Sequence, residues 1–194
     1  MSATKSIMIV GVGGQGSLLA SRLLGNVLLA QGFDVKVSEV HGMSQRGGSV
    51  VTYVKYGDEV FSPVIEQGEA DVIISFEQLE AARWVSYLKT GGHLIVSVQK
   101  LNPMPVITGA AAYPEEILEK LSALGVDVIP VDALSLAEQA GSVKASNVVL
   151  MGVLSTKMGF DDKLWQDAIV QCVPSKFLEL NRKAFELGKN SANG

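Results

Sequence analysis

Apolar positions run along the chain with two periods, and the switches between them predict its elements. Ser6–Val10 is a short, nearly continuous apolar run ending at a glycine, the pattern of a strand buried on both faces. From Gln15 to Ala30 the period lengthens: Leu18, Leu19, Leu23, Leu24 and Val27 share a helical stripe, and Gly32 follows as a stop. Asp34–Val40 alternates and returns the chain to strand. Residues 6–40 thus read as strand, helix, strand, and the two strands are expected to pair in parallel through a right-handed crossover. Ser49–Tyr56 is β-rich, Gly57-Asp58 is a turn, and Glu59–Ser62 can return as a short strand, so a β-hairpin is expected inside the alternation.

The alternation then resumes. Ala70–Phe76 reads as strand, Glu77–Leu88 as helix stopped by Gly91-Gly92, and His93–Val98 as strand. Asn102–Ala112 is rich in proline and small residues, a loop, after which Pro114 suits the first helical position ahead of Glu115 and Glu116. That helix is expected to end near Gly125, with a strand over Val126–Val131 and Asp132 capping the next helix. Asn147–Met158 is a strongly apolar helix, and Asp161–Leu187 reads as two more, separated around Pro174. The sum is an α/β chain: a three-layer, doubly wound, mostly parallel, Rossmann-like sheet with an inserted β-hairpin and a helical C-terminus. At 194 residues and 47% hydrophobic content, residues 1–194 are expected to form a single domain.

Composition narrows the function. A net charge of −4 and a pI near 5.2 offer no basic footprint, so neither nucleic acid nor an anionic membrane surface is an expected partner. No apolar run approaches the roughly 18 residues of a membrane span, and the polar start leads straight into a strand, so a cytoplasmic location is expected. Cys172 is the only cysteine, which excludes an internal disulfide and a cluster held by four thiolates of this chain. With only His41 and His93 besides, no metal site is expected. A mean hydropathy of +0.28 with few aromatics requires apolar surface to be buried in the core or against another subunit.

Two glycine-bounded loops carry the candidate chemistry. The first, Gly11-Val-Gly-Gly-Gln-Gly16, joins a strand to a helix, where bare backbone and free N–H groups seat phosphate or carboxylate. The same glycines equally let helix and strand pack closely. The second, His41-Gly-Met-Ser-Gln-Arg-Gly-Gly48, falls at the end of the next strand. His41 can move protons near neutral pH, Ser44 and Gln45 give neutral polar contacts, and Arg46 offers a fork for carboxylate or phosphate. Gly42, Gly47 and Gly48 let the loop pass close to a ligand or another chain; alone, it equally reads as a solvated turn. Ligands of such sheets lie beyond the carboxyl ends of the strands, where both loops fall.

Other signals weigh less. Glu39 stands near where an acid would hold an adenosine ribose, yet Val40 and His41 follow it and no hydride-transfer domain follows in the chain. The Lys-Ser/Thr of a nucleotide triphosphatase is replaced by Ser17-Leu18. His93 reads as a satisfied edge or core histidine, and Cys172 as a small buried hydrophobe. Glu66, Glu69, Glu77 and Glu80 read as helix-end caps or solvated charges. Asn147 reads as a helix-start residue, although its amide can also face the cleft.

With both loops in hand, the chain resembles the gamma-type domain of 2-oxoacid:ferredoxin oxidoreductases, within them the small (beta) subunits of the indolepyruvate branch. The likeness is carried by Gly11–Gly16, by Glu39-Val-His-Gly-Met-Ser-Gln-Arg-Gly-Gly-Ser49, by Ala70-Asp-Val-Ile-Ile-Ser-Phe-Glu77 and by Ser146-Asn-Val-Val-Leu-Met-Gly152. It implies a large alpha subunit holding thiamine diphosphate, magnesium and 4Fe-4S clusters, with ferredoxin as electron acceptor and coenzyme A as acyl acceptor. On that likeness this chain holds no cofactor itself. Gly11, Gly13, Gly14, Gln15, Gly16, Ser44, Gln45, Gly47, Gly48 and Asn147 would then face the partner's cleft, and His41 and Arg46 would contact substrate carboxylate or coenzyme A phosphate. A stand-alone NAD- or FAD-binding oxidoreductase using Glu39, and a ligand-sensing or scaffolding module, are the rival expectations.

Overall fold

A computed structural model describes residues 4–41 and 48–192. Strand β1 (Lys5–Val12) is followed by helix α1 (Ser17–Ala30) and by β2 (Asp34–His41), β3 (Ser49–Gly57) and β4 (Ala70–Ser75). Helix α2 (Gln78–Trp84), β5 (Leu88–Ser97), the single turn α3 (Met104–Ile107), α4 (Ile117–Ala123) and β6 (Asp127–Val131) come next. Helices α5 (Ala133–Ala140), α6 (Ser146–Met158), α7 (Asp162–Cys172) and α8 (Leu178–Ser191) complete the chain. Among the described residues no helix is long and apolar enough to cross a membrane.

The six strands stand in the order β2-β3-β1-β4-β5-β6. β1, β4, β5 and β6 are parallel, while β3 runs antiparallel to both β1 and β2. This corrects two local expectations. β1 and β2 point the same way but are not neighbours, because β3 lies between them, with Ile9 opposite Thr52 and Glu39 opposite Thr52 from the other side. The hairpin is therefore β2 with β3, and Glu59–Ser62 forms no strand. Val60 is buried there and Phe61 is 86% exposed, which gives the alternation of a strand without a neighbouring ladder.

Helices cover both faces. Ile7, Ile9, Val54, Ile74 and Ile95 pack under α1 and α5–α8, around the fully buried Trp165 and Phe185. Met8, Val10, Ile73, Leu94 and Val96 pack under α2 and α4. On the thicker side α6 and α8 cross at glycines: a Cβ on Gly188 would lie 2.0 Å from the Val149 carbonyl oxygen, and one on Gly152 2.1 Å from that of Phe185. Because β1 feeds a helix on one face and β4 a helix on the other, a crevice opens above the carboxyl ends of these neighbouring strands. Pro114 does not begin a helix as expected. Glu116 adopts φ 56°, the left-handed region, and α4 starts one residue later.

Candidate functional site

The turn leaving β1 is braced by one side chain. Gln15 accepts the Val12 N–H at 2.7 Å through Oε1, and its Nε2 donates to the Phe76 carbonyl at 3.0 Å and to Gln99 Oε1 at 3.1 Å. One amide thus ties the ends of β1, β4 and β5 together. Gly11 is what admits it, since a Cβ there would lie 2.8 Å from Gln15 Oε1 and 3.0 Å from Phe76 Cβ. Gly16, at φ 87°, meets Asn147 in the same way, its absent Cβ falling 2.5 Å from the Asn147 Nδ2. Asn147 is buried; its amide donates to the Gly16 carbonyl at 3.1 Å and its Oδ1 accepts the Val148 N–H at 2.8 Å. Gly11 and Gly16 therefore serve close packing, whereas Gly14, at φ 101°, has nothing among the described residues within 4 Å of its Cβ position.

The first glycine turn meets the described end of the second loop. The Gly13 N–H donates to the Gly48 carbonyl at 2.9 Å, joining the β1 turn to the residue before β3. Gly42, Ser44, Gln45, Arg46 and Gly47 lie outside the described residues; His41 and Gly48 are the described feet of that loop. A cavity of about 330 Å3 opens beside them, lined by Gly13, Gly14, Gly16, Ser17, Leu18, Glu39, His41 and Val50. In it Glu39 Oε2 accepts hydrogen bonds from the hydroxyls of Ser17 at 3.3 Å and Thr52 at 3.2 Å. A dinucleotide site ends the strand beside β1 with its ribose-binding acid. Here β3 intervenes, so Glu39 stands two strand spacings, about 9–10 Å, from β1.

A second cavity of about 430 Å3 lies on the other side of Gly13, over the crevice between β1 and β4; its walls include Val12, Ser49, Glu77, Glu80, Arg83 and Asn102. Glu77 does cap a helix, as expected: its side chain accepts the Glu80 N–H at 2.9 Å at the start of α2. It is also buried, and its Oε1 accepts from the Leu101 N–H at 3.2 Å and from the Tyr113 hydroxyl. Burial, and then that carboxylate, push the Tyr113 phenol well above its ordinary value, so it stays a donor. Glu80, expected at a solvated helix end, is buried too. The i, i+3 spacing of two glutamates in Phe76-Glu-Gln-Leu-Glu-Ala81 was the available signal, but the donors Leu101, Tyr113 and Ser49 lie far along the chain.

Other candidates sit elsewhere. His93 Nδ1 contacts Asp127 Oδ2 at 2.6 Å, partly exposed, and lines a polar cavity with Lys5, Asp71 and Lys89 at the opposite ends of the strands. Cys172 is half-buried, its sulfur accepts from Asn26 Nδ2 at 3.1 Å, and burial raises its thiol pKa. Among the described residues no group of three or more His, Cys, Asp or Glu could hold a metal. An iron–sulfur cluster takes thiolates, and one half-buried cysteine does not fit one.

Residues 6–191 match the family of pyruvate ferredoxin/flavodoxin oxidoreductases. The chain is 43% identical over 194 residues to "Indolepyruvate oxidoreductase subunit IorB" of Thermococcus kodakarensis, covering 96% of this chain and 95% of that one. The protein of the same name from Archaeoglobus fulgidus is 42% identical, covering 96% of this chain and 94% of that one. Among solved structures, a keto/oxoacid ferredoxin oxidoreductase gamma subunit from Geobacter sulfurreducens superposes with TM-score 0.73 at 23% identity, over 97% of this chain and 98% of that one. A 2-oxoglutarate:ferredoxin oxidoreductase from Magnetococcus marinus gives TM-score 0.75 at 20% identity, over 98% of this chain and 31% of that one. These two share the fold: a sheet of this form, with helices on both faces. The family match spans both glycine turns and all six strands but for the first residue of β1, and the chain belongs to the pyruvate ferredoxin/flavodoxin oxidoreductase family.

Proposed function

We propose that this chain is the small subunit of a thiamine diphosphate-dependent 2-oxoacid:ferredoxin oxidoreductase acting on indolepyruvate or another aryl pyruvate. The observation that carries the reading is the full-length identity of 42–43% to relatives named for indolepyruvate oxidation. The reaction converts a 2-oxoacid, coenzyme A and two oxidised ferredoxins to acyl-coenzyme A, carbon dioxide, a proton and two reduced ferredoxins. This chain lacks the thiolates for the electron carriers, so a large alpha subunit supplies clusters, thiamine diphosphate and magnesium. The small subunit acts as one domain in the cytoplasm and presents the carboxyl end of its sheet to that partner. There Gly13, Gly14 and the His41–Gly48 loop complete the cleft, with His41 and Arg46 contacting the substrate carboxylate or a coenzyme A phosphate, and Ser44 and Gln45 giving neutral contacts. The joined turns and the cavity on each side of Gly13 support this placement.

The test is purification of the tagged chain from its own cells, followed by assay of what comes with it. Expected is a large thiamine enzyme whose complex reduces ferredoxin with indolepyruvate and coenzyme A, while the isolated chain does not. Arg46→Ala should depress that rate. Catalysis by the chain alone, or tight NAD or FAD binding in calorimetry with no thiamine enzyme copurifying, overturns the reading.

A further inference from the structure

The geometry points to Glu80 as a positioning residue that holds the β1 turn in register with the start of β3; the inference rests on the reading of this end of the sheet as the subunit's working end. Glu80 is 4% exposed, and a carboxylate enters a protein interior only with donors to compensate it. Two of its donors are local and belong to its own helix: Arg83 Nε reaches Oε1 at 3.1 Å and Trp84 Nε1 reaches Oε2 at 3.3 Å. The third is the hydroxyl of Ser49, 31 residues earlier in the chain, donating to the same Oε2. Ser49 opens β3, pairs across the ladder with Val12, and follows Gly48, whose carbonyl takes the Gly13 N–H at 2.9 Å. A continuous line of bonds thus runs from a buried charge on α2, through the start of β3, to the β1 turn.

The neighbouring Glu77 is equally buried but bonds to other parts of the chain. Its oxygens hold the Glu80 N–H at the helix start, the Leu101 N–H and the Tyr113 hydroxyl, and none of these three donors belongs to the β1 turn or to the start of β3. Stability alone does not call for a charge at Glu80, since Arg83 is a half-exposed partner and an apolar residue facing the cavity avoids the desolvation cost. What the charge adds is a directional, charge-assisted bond to one hydroxyl. Glu80 acts through Ser49 and touches no reacting atom.

The test compares Ser49→Ala, Glu80→Gln and Ser49→Thr in the full chain and in the enzyme complex. Amide exchange at Gly13 in the isolated full chain should speed up about tenfold in Ser49→Ala and Glu80→Gln while cooperative melting is retained. In the complex, kcat/KM for the 2-oxoacid should fall about tenfold in the same two variants. Ser49→Thr, which restores the hydroxyl, should return both readouts to within about twofold of wild type. Unchanged Gly13 exchange overturns the inference, as does an unchanged kcat/KM in a complex whose wild type is active. A loss that Ser49→Thr fails to restore overturns it too, by assigning the effect to packing. A wild-type complex that oxidises no 2-oxoacid refutes the functional reading instead, and the Gly13 exchange rates then decide the tie on their own.

Discussion

Gly16→Ala isolates the packing of the first glycine turn. At φ 87° an alanine sits in the left-handed region, at a cost of about 1–2 kcal/mol. Its Cβ would also lie 2.5 Å from Asn147 Nδ2, so the Asn147 amide must move. That amide is 3% exposed and holds the Gly16 carbonyl at 3.1 Å, and disturbing a buried hydrogen bond adds about 1–2 kcal/mol. The sum is about 3 kcal/mol, or about 6–12 °C in melting temperature for a chain of this size. Thermal melts and urea titrations read it, with the urea slope unchanged. A double-mutant cycle with Asn147→Ala separates the two costs: removing the amide relieves the clash but not the backbone strain. The double variant should then be less destabilised than the sum of the singles by about 1 kcal/mol or more. Additivity within about 0.5 kcal/mol would refute the contact as the cause.

Three further outcomes are expected. Gln15→Ala removes the three hydrogen bonds that tie β1, β4 and β5 and should lower the urea-derived stability by about 2–4 kcal/mol, an unchanged midpoint arguing against the brace. Gly188→Ala drives a Cβ against the Val149 backbone where α6 crosses α8, and should cost roughly 3 kcal/mol or more in the same assay, whereas a Gly25→Ala control in α1, where a Cβ meets no neighbour among the described residues, should not destabilise. Asp34 is held below the ordinary carboxylate range, first by the Lys36 ammonium and then by the Val60 N–H. Its contribution is present above the unfolded carboxylate value near about 4 and is lost as pH falls through the lower folded one. The melting-temperature advantage of wild type over Asp34→Asn should therefore shrink below about pH 4, and an advantage that is flat with pH rejects the pairing.

Period and punctuation made much of the fold legible. The apolar run before Gly11, the stripe of α1 and the boundaries at Asp132, Gly125 and Pro174 are local signals, and the structure places elements there. Pairing is a different kind of information. Asp34–His41 alternates whichever strand lies beside it, so nothing in those residues announced that β3 would insert between β2 and β1. Glu116 escaped because one residue in the left-handed region displaced a helix start that Pro114 suited. At the candidate site the Gly13–Gly48 bond followed from the places of the two residues at neighbouring strand ends. The burial of Glu80 did not, because the hydroxyl beside it comes from 31 residues away and a charge in sequence reads as solvated until its donors are known.

The Gln15 brace bears on how this end of the molecule meets whatever docks on it. Because a single amide pins three strand termini at once, the β1 turn is set when the chain folds and has little ordering left to lose at encounter. Contact with the segment around Gln99 would be felt at Val12 across one side chain, as a push on a rigid floor and not as the swing of a hinge.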